Sequence, residues 1–148
     1  MTHRCIFRYK TPLTHYTAQA FVVRCFDDRF RSAFEKFLAA KKINHLDLES
    51  VAGGAKIFAS PERKSDRDFL FRELEKSIRL HGTKRVMLFT HYDCGAYGGL
   101  ARFGGDQEKQ FMLHQAELTK AKVALIRKFP NIAVETYFIG ATGVIKIA

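Results

Sequence analysis

The stretch Arg85-Val86-Met87-Leu88-Phe89-Thr90-His91-Tyr92-Asp93-Cys94-Gly95 decides the fold. Val86 to Phe89 is an unbroken apolar run, so a strand here is buried on both faces, as at the centre of a parallel sheet covered by helices above and below. The run ends at an imidazole, His91, followed three positions later by a thiol, Cys94. Both are ligand types that Zn2+ accepts.

Upstream of this strand, Leu70, Phe71, Leu74 and Ile78 recur at helical spacing behind a capping-box pattern, Ser65-Asp66-Arg67-Asp68, and the helix stops at Gly82. Earlier still, residues 18–24 form a short apolar run that reads as a buried strand. It is broken by Cys25 to Asp28. Residues 29–42 carry Phe30, Ala33, Phe34, Phe37 and Leu38 at helical spacing, with Asp27 or Asp28 as cap. Residues 44–51 alternate, placing Leu46 and Leu48 on one face of a second strand. Ala52-Gly53-Gly54-Ala55 then makes a tight turn where backbone can approach a ligand or another strand, and the segment to Arg63 reads as loop.

Downstream, glycines at 95, 98, 99, 104 and 105 precede a long helix capped by Asp106 and running to Phe129, with Phe111, Leu118, Ala121, Leu125 and Ile126 on its buried side. A fourth strand over 132–139 and a last short one over 144–147 complete the pattern. Residues 1–16 have no clear periodicity and read as an N-terminal arm, with Cys5 an ordinary side chain within it. The 148 residues are read as a single domain.

Strands alternating with helices give a three-layer α/β fold, a mainly parallel sheet in the order 2-1-3-4 with helices on both faces and a short C-terminal edge strand. In that order strands one and three are neighbours whose following helices diverge, and ligands collect in the crevice beyond such strand ends. Cys25 follows strand one; His91 and Cys94 follow strand three. The topology therefore predicts that they meet, with only one close ligand pair where a structural zinc knuckle brings two. That favours a catalytic site.

Composition bounds the function. The formal charge of +10 favours anionic partners, but the basic residues are scattered and no basic run or binding motif supports a nucleic-acid-binding module. No apolar run approaches the roughly 18 residues of a membrane span. Three cysteines, an odd number, with no hydrophobic leader, point to a reducing cytoplasm and to free or metal-bound thiols. The 14 phenylalanines are many for so small an interior, and some fit a subunit interface.

Cys25-x-Asp27-x-Arg29 together with His91-x-x-Cys94-Gly95 resembles the zinc site of the β-class carbonic anhydrases, and the likeness extends from about Phe21 to Val144. The resemblance implies Zn2+ held by Cys25, His91 and Cys94, with water or the Asp27 carboxylate in the fourth position. It implies a lyase that hydrates carbon dioxide reversibly to bicarbonate through zinc-bound hydroxide, assembled as a homodimer or higher homo-oligomer. Asp27 and Arg29 are the implied catalytic pair: paired with Arg29, Asp27 is held off the metal and can accept a hydrogen bond; released, it can close the site. Val51 before Ala52-Gly53, Tyr92 after the histidine and the short arm depart from that family. They leave room for a zinc-binding relative acting on another small electrophile, such as carbon disulfide or carbonyl sulfide, or without turnover.

Cys25 to Arg31 also satisfies the Cys-x5-Arg loop of thiol phosphatases, but Asp27 and Asp28 would repel a phosphate there. His3, His15, His45, His81 and His114 are scattered and read as surface or core residues, with His114 a proton relay if its helix borders the cleft.

Overall fold

A computed structural model of the protein describes residues 3–147. Strands β1 (Ala20–Arg24), β2 (Leu46–Ser50), β3 (Arg85–His91), β4 (Ala133–Ile139) and β5 (Val144–Ile147) form one sheet in the order β2-β1-β3-β4-β5. β1 is parallel to β2 and β3, β3 is parallel to β4, and only β5 runs antiparallel, on the edge beside β4. The sheet has the order and the edge strand expected from the sequence.

Helices make every parallel crossover. α1 (Arg31–Ala40) joins β1 to β2, α2 (Lys56–Ala59) and α3 (Lys64–His81) join β2 to β3, and α4 (Gln107–Lys128) joins β3 to β4. α1 lays Phe34 and Leu38 against Val22, Met87, Phe89 and Tyr137 on one face. Leu70, Leu74, Leu118 and Leu125 of α3 and α4 meet Phe21, Val23, Val86 and Leu88 on the other. β3 thus divides its side chains between two cores, which is why its sequence lacks alternation. No helix among the described residues is long and apolar enough to cross a membrane.

Several local expectations are corrected. The Ser65-Asp66-Arg67-Asp68 box does not cap α3: the helix begins at Lys64, Arg63 occupies the cap position without a side-chain bond, and Asp66 lies inside the first turn. The segment expected as loop up to Arg63 contains α2, a single turn far too short to be stable alone. Tertiary contacts hold it. Phe58 is buried in the core, and Ser60, just past the helix, donates to the buried Glu117 carboxylate of α4. α1 starts later than Arg29, because Asp28–Phe30 form a 3-10 turn first. Ile126, expected on the buried side of α4, is 41% exposed, whereas the polar Gln110, His114 and Glu117 face inward.

Residues 3–19 are irregular, and Ile6, Phe7 and Leu13 stand exposed there. The arm is fastened at its base, where Tyr16 donates a 2.6 Å hydrogen bond to Asp47 and packs its ring on His81.

Candidate metal centre

Because β1 and β3 run parallel side by side, their carboxyl ends open at the same edge of the sheet. α1 then leaves toward one face, while the chain after β3 leads into α4 on the other. The crevice between them gathers Cys25, His91 and Cys94, whose ligand atoms all lie within 4.8 Å of one another and are buried. The sequence-expected trio is therefore brought together, and it could hold a metal ion.

The imidazole is oriented for such a role. Its Nδ1 lies 2.8 Å from the Tyr92 carbonyl oxygen, which can only accept, so Nδ1 carries the hydrogen and Nε2 keeps a free lone pair. Nε2 is buried and has no hydrogen-bond partner among the described residues. An orphaned buried acceptor is costly unless something electropositive faces it. A carbonyl bond on the far nitrogen is also the usual support of a metal-ligating histidine. The Phe30 ring lies over the imidazole at 4.4 Å between centroids and covers one side of it.

The two thiols perturb each other in opposite directions. The contact with Cys94, helped by the backbone amides of Asp27 and Gly53, holds the Cys25 thiol well below its ordinary range, while the same contact and burial push Cys94 up. One sulfur is thus prepared as thiolate, and a bound cation displaces the proton from the other. The Gly53 N–H donates to Cys25 Sγ at 3.4 Å. The glycine turn allows this approach: Gly54 has φ +56°, and a Cβ there would stand 2.9 Å from the Cys25 nitrogen.

Asp27 and Arg29 stand at the mouth. Arg29 grips the Asp27 carboxylate as a fork, with Nε 3.1 Å from Oδ1 and Nη2 2.7 Å from Oδ2. Those bonds hold the Asp27 carboxyl at about 2. Asp27 also caps the 3-10 turn by accepting the Arg29 N–H, so the helix-cap role and a site role coexist in one side chain. Its Oδ2 lies 3.8 Å from His91 Nε2, beside the three ligand atoms. Such a set, two sulfurs and one nitrogen with an acid alongside, has the donor types that a metal ion accepts.

Two residues at this site escaped the sequence reading. Asp93, between the histidine and the second cysteine, takes a left-handed backbone conformation and bonds Arg29, and buried Gln110 accepts the Asp93 N–H at 2.7 Å. The only available signal for Asp93 was its place inside the His-x-x-Cys spacing. His114 lies behind the site, fully buried, edge-on to Tyr97, and burial holds it near 4 and uncharged. Cys5 is exposed in the arm, away from the centre.

The chain is similar to known proteins in sequence and in fold. The family model described as "Putative carbonic anhydrase" matches residues 15–148. An uncharacterized protein of Rickettsia conorii is 26% identical over 134 residues, covering 87% of this chain and 71% of its own. Among solved structures, a carbonic anhydrase from Streptococcus mutans aligns with TM-score 0.62 at 17% identity, over 96% of this chain and 88% of that one. The apo form of a carbon disulfide hydrolase aligns with TM-score 0.56 at 14% identity, over 90% and 80%. These two structural likenesses speak for the fold, and the family match for descent: the chain belongs to the carbonic anhydrase family, as a divergent member with the β-class fold.

Proposed function

We propose that the protein binds Zn2+ through Cys25, His91 and Cys94 and catalyses CO2 + H2O ⇌ HCO3− + H+. The observation that carries this reading is the buried Nε2 of His91, without a hydrogen-bond partner among the described residues, beside the gathered sulfurs of Cys25 and Cys94. Zinc, when bound, supplies a Lewis acid that brings the pKa of water toward about 7, giving a nucleophile at neutral pH. Two thiolates offset the ion's formal charge, so the surrounding groups matter more than in an all-histidine site.

In this reading Asp27 is the acceptor that orients the attacking oxygen. It stays ionised across the working range because Arg29 holds its carboxyl at about 2. Arg29 also keeps that carboxylate occupied, so that it faces the fourth position without filling it. Phe30, lying on the imidazole, keeps water from one side of His91.

Stopped-flow carbon dioxide hydration at pH 7 and 8.5 tests the activity. A rate above buffer background at either pH supports it, and background rates at both remove the enzyme claim while leaving the fold. Parallel assays with carbon disulfide and carbonyl sulfide address the second reading, favoured by the shared fold of a carbon disulfide hydrolase. Turnover of those substrates alone would transfer the assignment to them.

The same reading makes the protein a cytoplasmic homodimer or higher homo-oligomer. Its free thiols fit a reducing compartment, and the exposed apolar side chains of the arm, Ile6 at 93% and Leu13 at 90%, fit cover by a second copy.

A further inference from the structure

Arg29 holds two carboxylates, one from each ligand loop. Beyond its fork on Asp27, Nη1 donates to Asp93 Oδ2 at 3.0 Å and Nη2 to the Asp93 carbonyl oxygen at 3.1 Å. Asp93 itself is fixed independently of Arg29. Its N–H is bonded to Gln110, its Oδ1 accepts the Leu100 N–H at 2.8 Å, and its backbone sits at φ +53°. Gly99 leaves it room: a Cβ at that position would stand 3.0 Å from Asp93 Oδ1.

The geometry matters because the Arg29 side chain is 56% exposed. A single exposed ion pair contributes little and a long side chain readily turns to water, but a planar guanidinium held from two sides keeps its orientation. We propose that Asp93 is a positioning residue for the metal centre: it holds the Arg29 fork in the orientation that keeps Asp27 paired and away from the metal's fourth position. This rests on the zinc reading given above. Without the Asp93 carboxylate, Arg29 keeps on that side only its bond to the Asp93 backbone carbonyl oxygen and loses the charged half of its second anchor. Asp27, whose Oδ2 is already 3.8 Å from His91 Nε2, is then released and competes for the fourth position with any incoming ligand.

Azide titration of the cobalt(II)-substituted protein, followed by visible absorption, reads the fourth position directly. Asp93→Asn is the first variant, because asparagine tolerates the left-handed conformation and still accepts from Leu100. Asp93→Gly is the second, since glycine also fits that backbone. Both should take up cobalt as the wild type does and bind azide about ten- to a hundredfold more weakly, the range of a lost hydrogen bond to a charged group. In an Asp27→Ala background, where no carboxylate competes, adding Asp93→Asn should leave azide affinity unchanged.

Three results overturn the proposal while the zinc reading stands: unchanged azide affinity in both variants, the same weakening in the Asp27→Ala background, or loss of cobalt uptake in both. The last would make Asp93 a folding determinant. Failure of the wild type to take up cobalt would remove the zinc reading and this inference together.

Discussion

Gly54 lies directly against the carbonyl oxygen of Phe89, so closely that a Cβ on Gly54 would drive into it. The contact fastens the glycine turn to the central strand, where Ala55 also donates to the Phe89 oxygen at 3.1 Å. It also sets the neighbouring Gly53 amide on the Cys25 sulfur. Gly54→Ala should therefore lower stability by about 3 kcal/mol or more, combining left-handed strain with the clash. Gly104 has a similar φ of +62° and open space around it, so Gly104→Ala should cost only about 1 kcal/mol. Thermal melts of the two variants check this, and equal losses would contradict it.

Burial along β3 and α4 makes a second contrast. Leu88 is fully buried between α3, α4 and the sheet, and Leu88→Ala should cost about 2 to 5 kcal/mol. Ile126→Ala, on the exposed side of α4, should cost under about 1 kcal/mol. Urea unfolding distinguishes them.

Asp27→Asn should leave zinc content unchanged and reduce carbon dioxide hydration by roughly 10²- to 10⁴-fold, the usual contribution of a positioned proton acceptor. Arg29→Ala should act through Asp27 and lower the rate as well. Rates equal to wild type in Asp27→Asn would show that its carboxylate only caps the 3-10 turn.

Zinc affinity should rise with pH. Cys25 is held below its ordinary range and Cys94 above it, so near neutrality the pair binds one proton, which the cation must expel from Cys94. Release of one proton strengthens binding about tenfold for each pH unit, and acidification weakens it by the same factor. Competition against a chelator between pH 7 and 8.5 measures the slope. A flat profile would contradict these opposed shifts.

Much of this architecture was legible in the chain itself. The unbroken apolar run of β3 identified a central strand, and the placement of strands and helices gave the sheet order and the meeting of Cys25 with His91 and Cys94. What stayed hidden depends on tertiary contact. α2 is one turn long and exists because Phe58 and Ser60 are held from outside. Asp93 is placed by a left-handed backbone and by bonds to Gln110 and Leu100, and it joins the site through an arginine 64 residues away in sequence. The inner face of α4 carries Gln110, His114 and Glu117, residues whose polarity points to solvent although their spacing does not, and the cap pattern at Ser65 lost to a helix whose cap position is Arg63, two residues sooner.

The central claim is that Cys25, His91 and Cys94 hold zinc. Metal analysis of freshly purified protein tests it most directly: about one zinc per chain in the wild type, as four-coordinate sites with three protein ligands hold, and loss of that zinc in Cys25→Ser. Wild-type protein without bound metal, or a Cys25→Ser variant that retains a full complement, would contradict it.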